Sequence, residues 1–276
     1  MKFNICLIKP KNYIHTFAFL ELAQVIHFGI KSLDFDSKIS LNKICTDSIN
    51  IIIGAHLLDL SCISQLPKNT SILNTEQLDG ININWLAPIL QFAKNFSVWD
   101  YSLKNISKLN DLGFNKVKFL ELGYQRELQR IPKSSPQDID VLFYGSMNPR
   151  RERIISELRT YDLNVHVAFA IYGPQRDELI SRSKVVLNHH YYDSEIYEVV
   201  RTSYLINNAK LVVGEVNSST SIDSRYLTSI YPAKYEVLAA SCFKLVRDDA
   251  LRNELEDKVL TTYKQLPQSH FLAKIL

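Results

Sequence analysis

The chain is short of cysteine, with Cys6, Cys45, Cys62 and Cys242 the only four in 276 residues. They are scattered, without the close pairs of a zinc site or the density of a disulfide scaffold, so a reducing compartment and a cytoplasmic protein are expected. Long apolar runs are also missing. No stretch approaches the roughly 18 to 20 uncharged apolar residues that cross a bilayer, and no transmembrane segment is expected. The apolar stretch between Lys2 and Lys9 is too short for the core of a secretion signal and reads as a first strand. Neither the G-x-G-x-x-G nor the P-loop pattern occurs, which removes two familiar phosphate cradles. There is no tandem repeat and no low-complexity tract. The net charge of +3 is small and no Lys/Arg-rich track stands out, so nothing demands a polyanionic partner.

What is present is enough apolar surface to build cores, 46% hydrophobic against 22% charged residues, and a length that suits two compact α/β units. Phe3 to Ile8 reads as a strand, and His15 to Ile30 repeats apolar residues at helical spacing up to Gly29. Further strands are expected at Ile49 to Gly54, Thr70 to Leu73, Ala93 to Trp99 and Lys116 to Leu120, with a helix over Tyr101 to Leu112. Alternation of this kind implies a doubly wound sheet. Arg130 to Gln137 concentrates Pro, Ser and charge, which marks a domain boundary. The pattern restarts with strand Asp140 to Tyr144 and helix Arg150 to Tyr161. Strands are expected at Val165 to Ala168, Val185 to Leu187 and Lys210 to Val213, and helices at Glu198 to Asn208, Tyr235 to Cys242 and Asp249 to Tyr263. Three segments follow: residues 1–129, residues 138–249, and a helical segment 250–276 that could pack back on the first.

Strand Val141 to Tyr144 runs into Gly145, Ser146, Met147, Asn148 and Pro149, and then Arg150 and Arg151 open a helix. In an open α/β sheet, ligands collect at the carboxyl ends of the strands, where backbone N–H groups and helix dipoles favour anions. Gly145 lets a diphosphate approach, Ser146 and Asn148 can donate to it, and Arg150 or Arg151 can neutralise it; the plainer alternative is a strand-to-helix turn with solvated arginines. The end of the strand at Leu187 carries Asn188, His189, His190, Tyr191 and Tyr192, a costly set to bury unless hydrogen-bonded or facing a ligand. Neighbours in sequence on a strand, His189 and His190 point to opposite faces and cannot easily chelate one metal. Glu198 and Arg201 lie three apart on one helix, either as a surface ion pair or as a ribose acceptor and a phosphate ligand. His15, His56 and Glu76 each follow a strand or its loop, where a general base would stand. Trp99, Asp100, Tyr101 and Ser102 form either a helix cap or an acceptor contact. The triplets Asp34-Phe35-Asp36 and Asp138-Ile139-Asp140 precede strands, at the end away from ligands, so neither is expected to hold a metal.

Asn74 to Gln77, Trp99 to Ser102, Asp140 to Ser146 with its arginines, Ser183 to Asn188, Glu198 to Arg201 and Val213 to Glu215 together resemble the bacterial and phage-type GT-B glycosyltransferases related to families 1 and 4. The resemblance spans about residues 13 to 250. It implies an α/β fold of two facing Rossmann-like domains with parallel sheets, an acceptor at the first and a nucleotide-diphosphate sugar at the second, no cofactor and no essential metal. On that reading Gly145, Ser146, Arg150, Arg151, His189, His190, Glu198, Arg201 and Tyr204 hold the donor, and His15, His56 and Glu76 act on the acceptor. Tyr204 takes the place where family 4 members carry the second of two glutamates about two helical turns apart. Two alternatives remain: a phage-type enzyme whose acceptor is a modified base in DNA, and a nucleotide-binding GT-B module without turnover.

Overall fold

The computed structural model describes residues 1–78, 83–134, 136–192 and 195–276, and of 83–85 the backbone alone. Two compact units emerge: Met1–Gln125 with Pro267–Leu276, and Arg126–Leu266.

In the first unit the strands β1 (Lys2–Leu7), β2 (Asp36–Leu41), β3 (Ile49–Ile53), β4 (Ser71–Leu73), β5 (Ser97–Asp100) and β6 (Val117–Phe119) pair in parallel in the order β2-β1-β3-β4-β5-β6. Ile5, Cys6 and Leu7 of β1 and Ile51, Ile52 and Ile53 of β3 are buried. Central strands covered on both faces are why these segments read as unbroken apolar runs. Helix α1 (Leu20–Lys31) buries Leu22, Val25, Ile26 and Ile30, and a 3-10 turn over His15–Phe19 precedes it. Helices α2 (Ile83–Ala93) and α3 (Leu103–Asp111) follow β4 and β5. The apolar stretch expected to form a strand from Ala93 ends α2 instead, and β5 begins only at Ser97; Phe92 and Phe96 face the same core from helix and turn. Strand β2 escaped the sequence reading because it lies at the sheet's edge, and its polar Asp36, Ser37 and Lys38 dilute the pattern.

In the second unit β7 (Ile139–Tyr144), β8 (Val165–Ala168), β9 (Ser183–Asn188), β10 (Val212–Glu215) and β11 (Tyr231–Ala233) form a parallel sheet in the order β11-β10-β9-β7-β8. Its helices are α4 (Pro149–Thr160), α5 (Pro174–Arg182), α6 (Val199–Asn207), α7 (Ser224–Leu227), α8 (Leu238–Arg247) and α9 (Asp249–Lys264). Val141, Phe143, Val185, Leu187 and Val213 meet Ile154, Leu158, Leu238, Cys242 and Leu245 in one core. Helix α4 follows the N-terminal rules closely: Asn148 caps it by accepting from Arg151 N at 2.8 Å, and Pro149 occupies the first turn.

The unit boundary falls earlier than composition suggested. Arg130 and Ile131 donate through their backbone N–H groups to Asn208 Oδ1, Lys133 pairs with Glu256, and Ser134 N reaches Ser181 O. Residues 130–134 are therefore strapped along the second unit. Pro and Ser are as suited to an extended strap as to a linker, so composition does not tell the two apart. Helix α9 also stays with the second unit, burying Val259 and Tyr263, and only α10 (Gln268–Leu272) returns to the first. There Gln268 accepts from Gly123 N at 2.6 Å, and α10 packs so near α1 that a Cβ on Gly29 would lie 2.7 Å from Gln268 Cγ.

In both sheets the first strand lies between its two sequence successors, so the crossovers reverse direction beside it. In doubly wound sheets this switch point opens a crevice at the carboxyl ends, where ligands bind. Here the crevices fall beside Ile8 and Gly54 in the first unit, and beside Gly145 and His189 in the second. Both aspartate triplets lie elsewhere. Asp138 pairs with Arg182 and Asp140 with Lys184 at the amino end of β7, while Asp36 begins β2. Among the described residues no helix is long and apolar enough to cross a membrane.

Candidate functional site

At the crevice of the second unit three arginines meet two glutamates. Gly145, with φ +148°, follows β7, and a Cβ there would lie 3.1 Å from Arg201 Nη2 and 3.4 Å from Arg151 Nη1. Glycine is what lets two guanidinium groups close on this backbone. Glu198 bridges them: Oε1 accepts from Arg151 at 2.7 Å and Oε2 pairs with Arg201 at 2.8 Å. Both cations hold its carboxyl below the usual carboxylate range. Arg201 also donates to Asn188 Oδ1 at 3.1 Å and lies 4.8 Å from the Tyr144 ring centre. Arg150 donates twice to Glu215, which is fully buried at the end of β10, and stacks 4.0 Å from the Tyr235 ring centre. Glu215 accepts in addition from His190 N at 2.9 Å.

The two neighbouring arginines have different work. Arg150 is one third exposed and Arg201 one sixth, so both present N–H groups at the crevice. The Arg151 side chain is only 2% exposed, and its guanidinium is engaged by Ser146 O, His189 O and Glu198. It braces the strand ends and Glu198. The sequence carried the signal: Arg151 shares a helical stripe with Ile154, Ile155 and Leu158, the buried face of α4. Asn148 is likewise committed, its side-chain oxygen to the helix cap and its amide to Tyr191 O. Ser146 is exposed beside the turn.

The two histidines differ too. His190 sets Nε2 3.2 Å from Thr220 Oγ1. His189 is 1% exposed, its ring edge-on to Phe143 with centres 5.0 Å apart, and neither ring nitrogen has a hydrogen-bond partner among the described residues. Burial, then the nearby arginines, hold its pKa down at about 2, so the ring stays neutral. Tyr204 belongs to a different cluster. Its hydroxyl donates to Asp177 Oδ2 at 2.8 Å and accepts from Arg130 Nε at 3.0 Å, with Arg176 4.5 Å from the ring centre. The structure thus gives Tyr204 no place among the groups around Gly145.

At the crevice of the first unit Tyr13, Thr16, Gly54 and His56 line a small recess with Leu7, Ile8 and Ile53. Thr16 donates to Ile8 O at 3.0 Å, tying the 3-10 turn to the end of β1. His56 Nε2 lies 3.4 Å from Glu76 Oε1. Burial depresses the His56 pKa to about 4 and raises that of Glu76, so this is a neutral imidazole beside a carboxyl with a weakened hold on its charge. Burial and the Glu76 charge raise the Tyr13 phenol. His56 and Glu76 are therefore brought together, and the His15 ring stands edge-on to Tyr13, with centres 5.6 Å apart.

The fold is the GT-B fold: two Rossmann-like α/β units on parallel sheets. Over 99% of its length the chain superposes on 98% of Anabaena HepE, crystallised with UDP and glucose, at TM-score 0.63 and 11% identity. It superposes on 97% of T4 phage BGT, in complex with its UDP-glucose substrate, at TM-score 0.57 and again 11% identity, over 99% of its own length. No protein-family model matches. Two uncharacterized proteins of Acanthamoeba polyphaga mimivirus are similar in sequence. L140 is 30% identical over 141 residues, 48% of this chain and 44% of that protein; R358 is 29% identical over 206 residues, 72% and 70% respectively. The chain thus spans less than half the length of L140.

Proposed function

We propose that the chain is a glycosyltransferase: a nucleoside-diphosphate sugar is held by the second unit, and an acceptor hydroxyl is activated at the first. The observation that carries this reading is the cluster around Gly145. Three guanidiniums are set against two carboxylates at the switch point of a parallel sheet, leaving one positive charge in excess beside the N-terminus of α4. A diphosphate is the ligand such a site favours, because its oxygens accept charge-assisted hydrogen bonds from Arg150 and Arg201. The fold shared with UDP-bound HepE and BGT supports it.

In the reaction an acceptor oxygen forms a bond to the sugar's C1, the bond from C1 to the phosphate oxygen breaks, and the nucleoside diphosphate leaves with the electron pair. Arg150, Arg201 and the α4 terminus stabilise the charge gathering on the leaving phosphates. The acceptor's proton goes to a base. Of the paired groups in the first unit, Glu76 suits that task better than His56. A carboxyl with a raised pKa lies nearer working pH, whereas an imidazole held at about 4 is a poor base. The reading assigns no metal, since no aspartate of either triplet reaches a carboxyl-end crevice.

Release of nucleoside diphosphate from UDP, GDP, TDP and CDP sugars tests this. Glu76→Gln is expected to slow release by about 10²- to 10⁴-fold while donor affinity is kept. His15→Ala is expected to lose no more than about 0.5 to 1.5 kcal/mol, one neutral hydrogen bond. Release by Glu76→Gln within twofold of wild type would remove the carboxylate from the chemistry, and no release from any donor would remove the transferase.

A further inference from the structure

The turn after β4 is pinned with unusual completeness. Asn74 N donates to Trp99 O at 2.9 Å, and the Tyr101 hydroxyl to Thr75 O at 3.1 Å. Glu76 O accepts from two side-chain amides, Asn74 Nδ2 at 2.8 Å and Asn105 Nδ2 at 2.9 Å. The oxygens of those same amides accept from Glu76 N at 3.2 Å and from Leu78 N at 3.0 Å. The main chain on both sides of the Glu76 side chain is therefore held from β5 and α3.

At the centre of this arrangement stands Asp100, fully buried at the end of β5. Its Oδ2 accepts from Asn74 Nδ2 at 2.7 Å and from Asn105 Nδ2 at 3.0 Å, and its Oδ1 from Ser102 N at 2.7 Å. Each amide NH2 thus uses one hydrogen on Asp100 and the other on Glu76 O. A carboxylate is acceptor-only, so it turns the nitrogen end of both amides inward and with it the oxygen ends toward Glu76 N and Leu78 N. An amide in its place would bring an NH2 against donors and undo that orientation. Capping α3 does not call for this device, because the Ser102 side chain already accepts from Asn105 N.

We infer that Asp100, acting through Asn74 and Asn105, is the positioning residue that fixes the Glu76 carboxyl against His56. The inference rests on the role proposed for that pair, but its geometry can be tested without a substrate. Among the described residues, His56, Glu76 and Tyr13 are the titratable groups that the structure sets against one another here, and the donors named around Asp100 are neutral. If the turn is held for this purpose, Asp100→Ala lets Glu76 withdraw and opens the burial of His56.

The test follows the His56 ring by heteronuclear NMR across a pH titration of the whole chain. In wild type the ring titrates near 4; in Asp100→Ala its midpoint is expected to rise by at least about one unit toward the ordinary ~6.5. Ser102→Ala, which removes the α3 cap but no contact of Asp100 with the amides, should leave it unmoved. An unchanged His56 midpoint in folded Asp100→Ala, or an equal shift in Ser102→Ala, would overturn the inference. Should Asp100→Ala fail to fold, Asn105→Ala keeps the carboxylate with its donors Asn74, Ser102 N and Tyr101 N and carries the same expectation. Nucleotide release by Glu76→Gln, measured alongside, fails separately if the catalytic reading is wrong and the positioning is right.

Discussion

Arg201→Glu separates phosphate recognition from everything else that the second unit does. In the structure Arg201 donates to Asn188 and pairs with Glu198, and one sixth of its side chain remains exposed toward the crevice beside Gly145. A guanidinium aimed at a diphosphate contributes about 1.5 to 3 kcal/mol through a charge-assisted hydrogen bond. At 1.4 kcal/mol per tenfold, its loss weakens UDP binding roughly 10- to 150-fold, and the reversed charge adds repulsion on top. Uridine carries no phosphate and should bind within twofold of wild type. Glu198 keeps Arg151 at 2.7 Å, so the variant retains one of the two pairs that hold this carboxylate. Calorimetric titration with UDP and with uridine, beside a melting curve of the free protein, reads all three quantities. Equal losses for UDP and uridine would refute the reasoning and reduce Arg201 to a partner of Glu198.

Nucleotide release should survive EDTA, and abolition with rescue by Mn would require a metal that the present mechanism does not use.

Much of the fold was legible because parallel strands buried on both faces leave unbroken apolar runs, as at Ile51 to Ile53 and Val141 to Phe143. The signal failed where that cause is absent, at edge strand β2. It also failed in α5, where Arg176 and Ile180 are the buried residues and no apolar stripe appears. The carboxyl-end rule pointed to Gly145, Arg150, Arg201, His56 and Glu76, which lie after the ends of strands or near them in the structure, because it depends only on where a strand stops. It could not sort Arg150 from Arg151, which the helical stripe of α4 could have done. Nor could it join Asn74 to Asp100 and Asn105, because parallel pairing of β4 with β5, a long-range event, is what puts the two strand ends side by side.

A crystal structure with UDP shows whether the second unit holds a nucleoside diphosphate on its arginines. Phosphate oxygens are expected within about 3 Å of the Arg150 and Arg201 guanidiniums, at the carboxyl ends of β7 and β9. UDP bound elsewhere on the chain, or an empty crevice at millimolar UDP, would contradict this expectation.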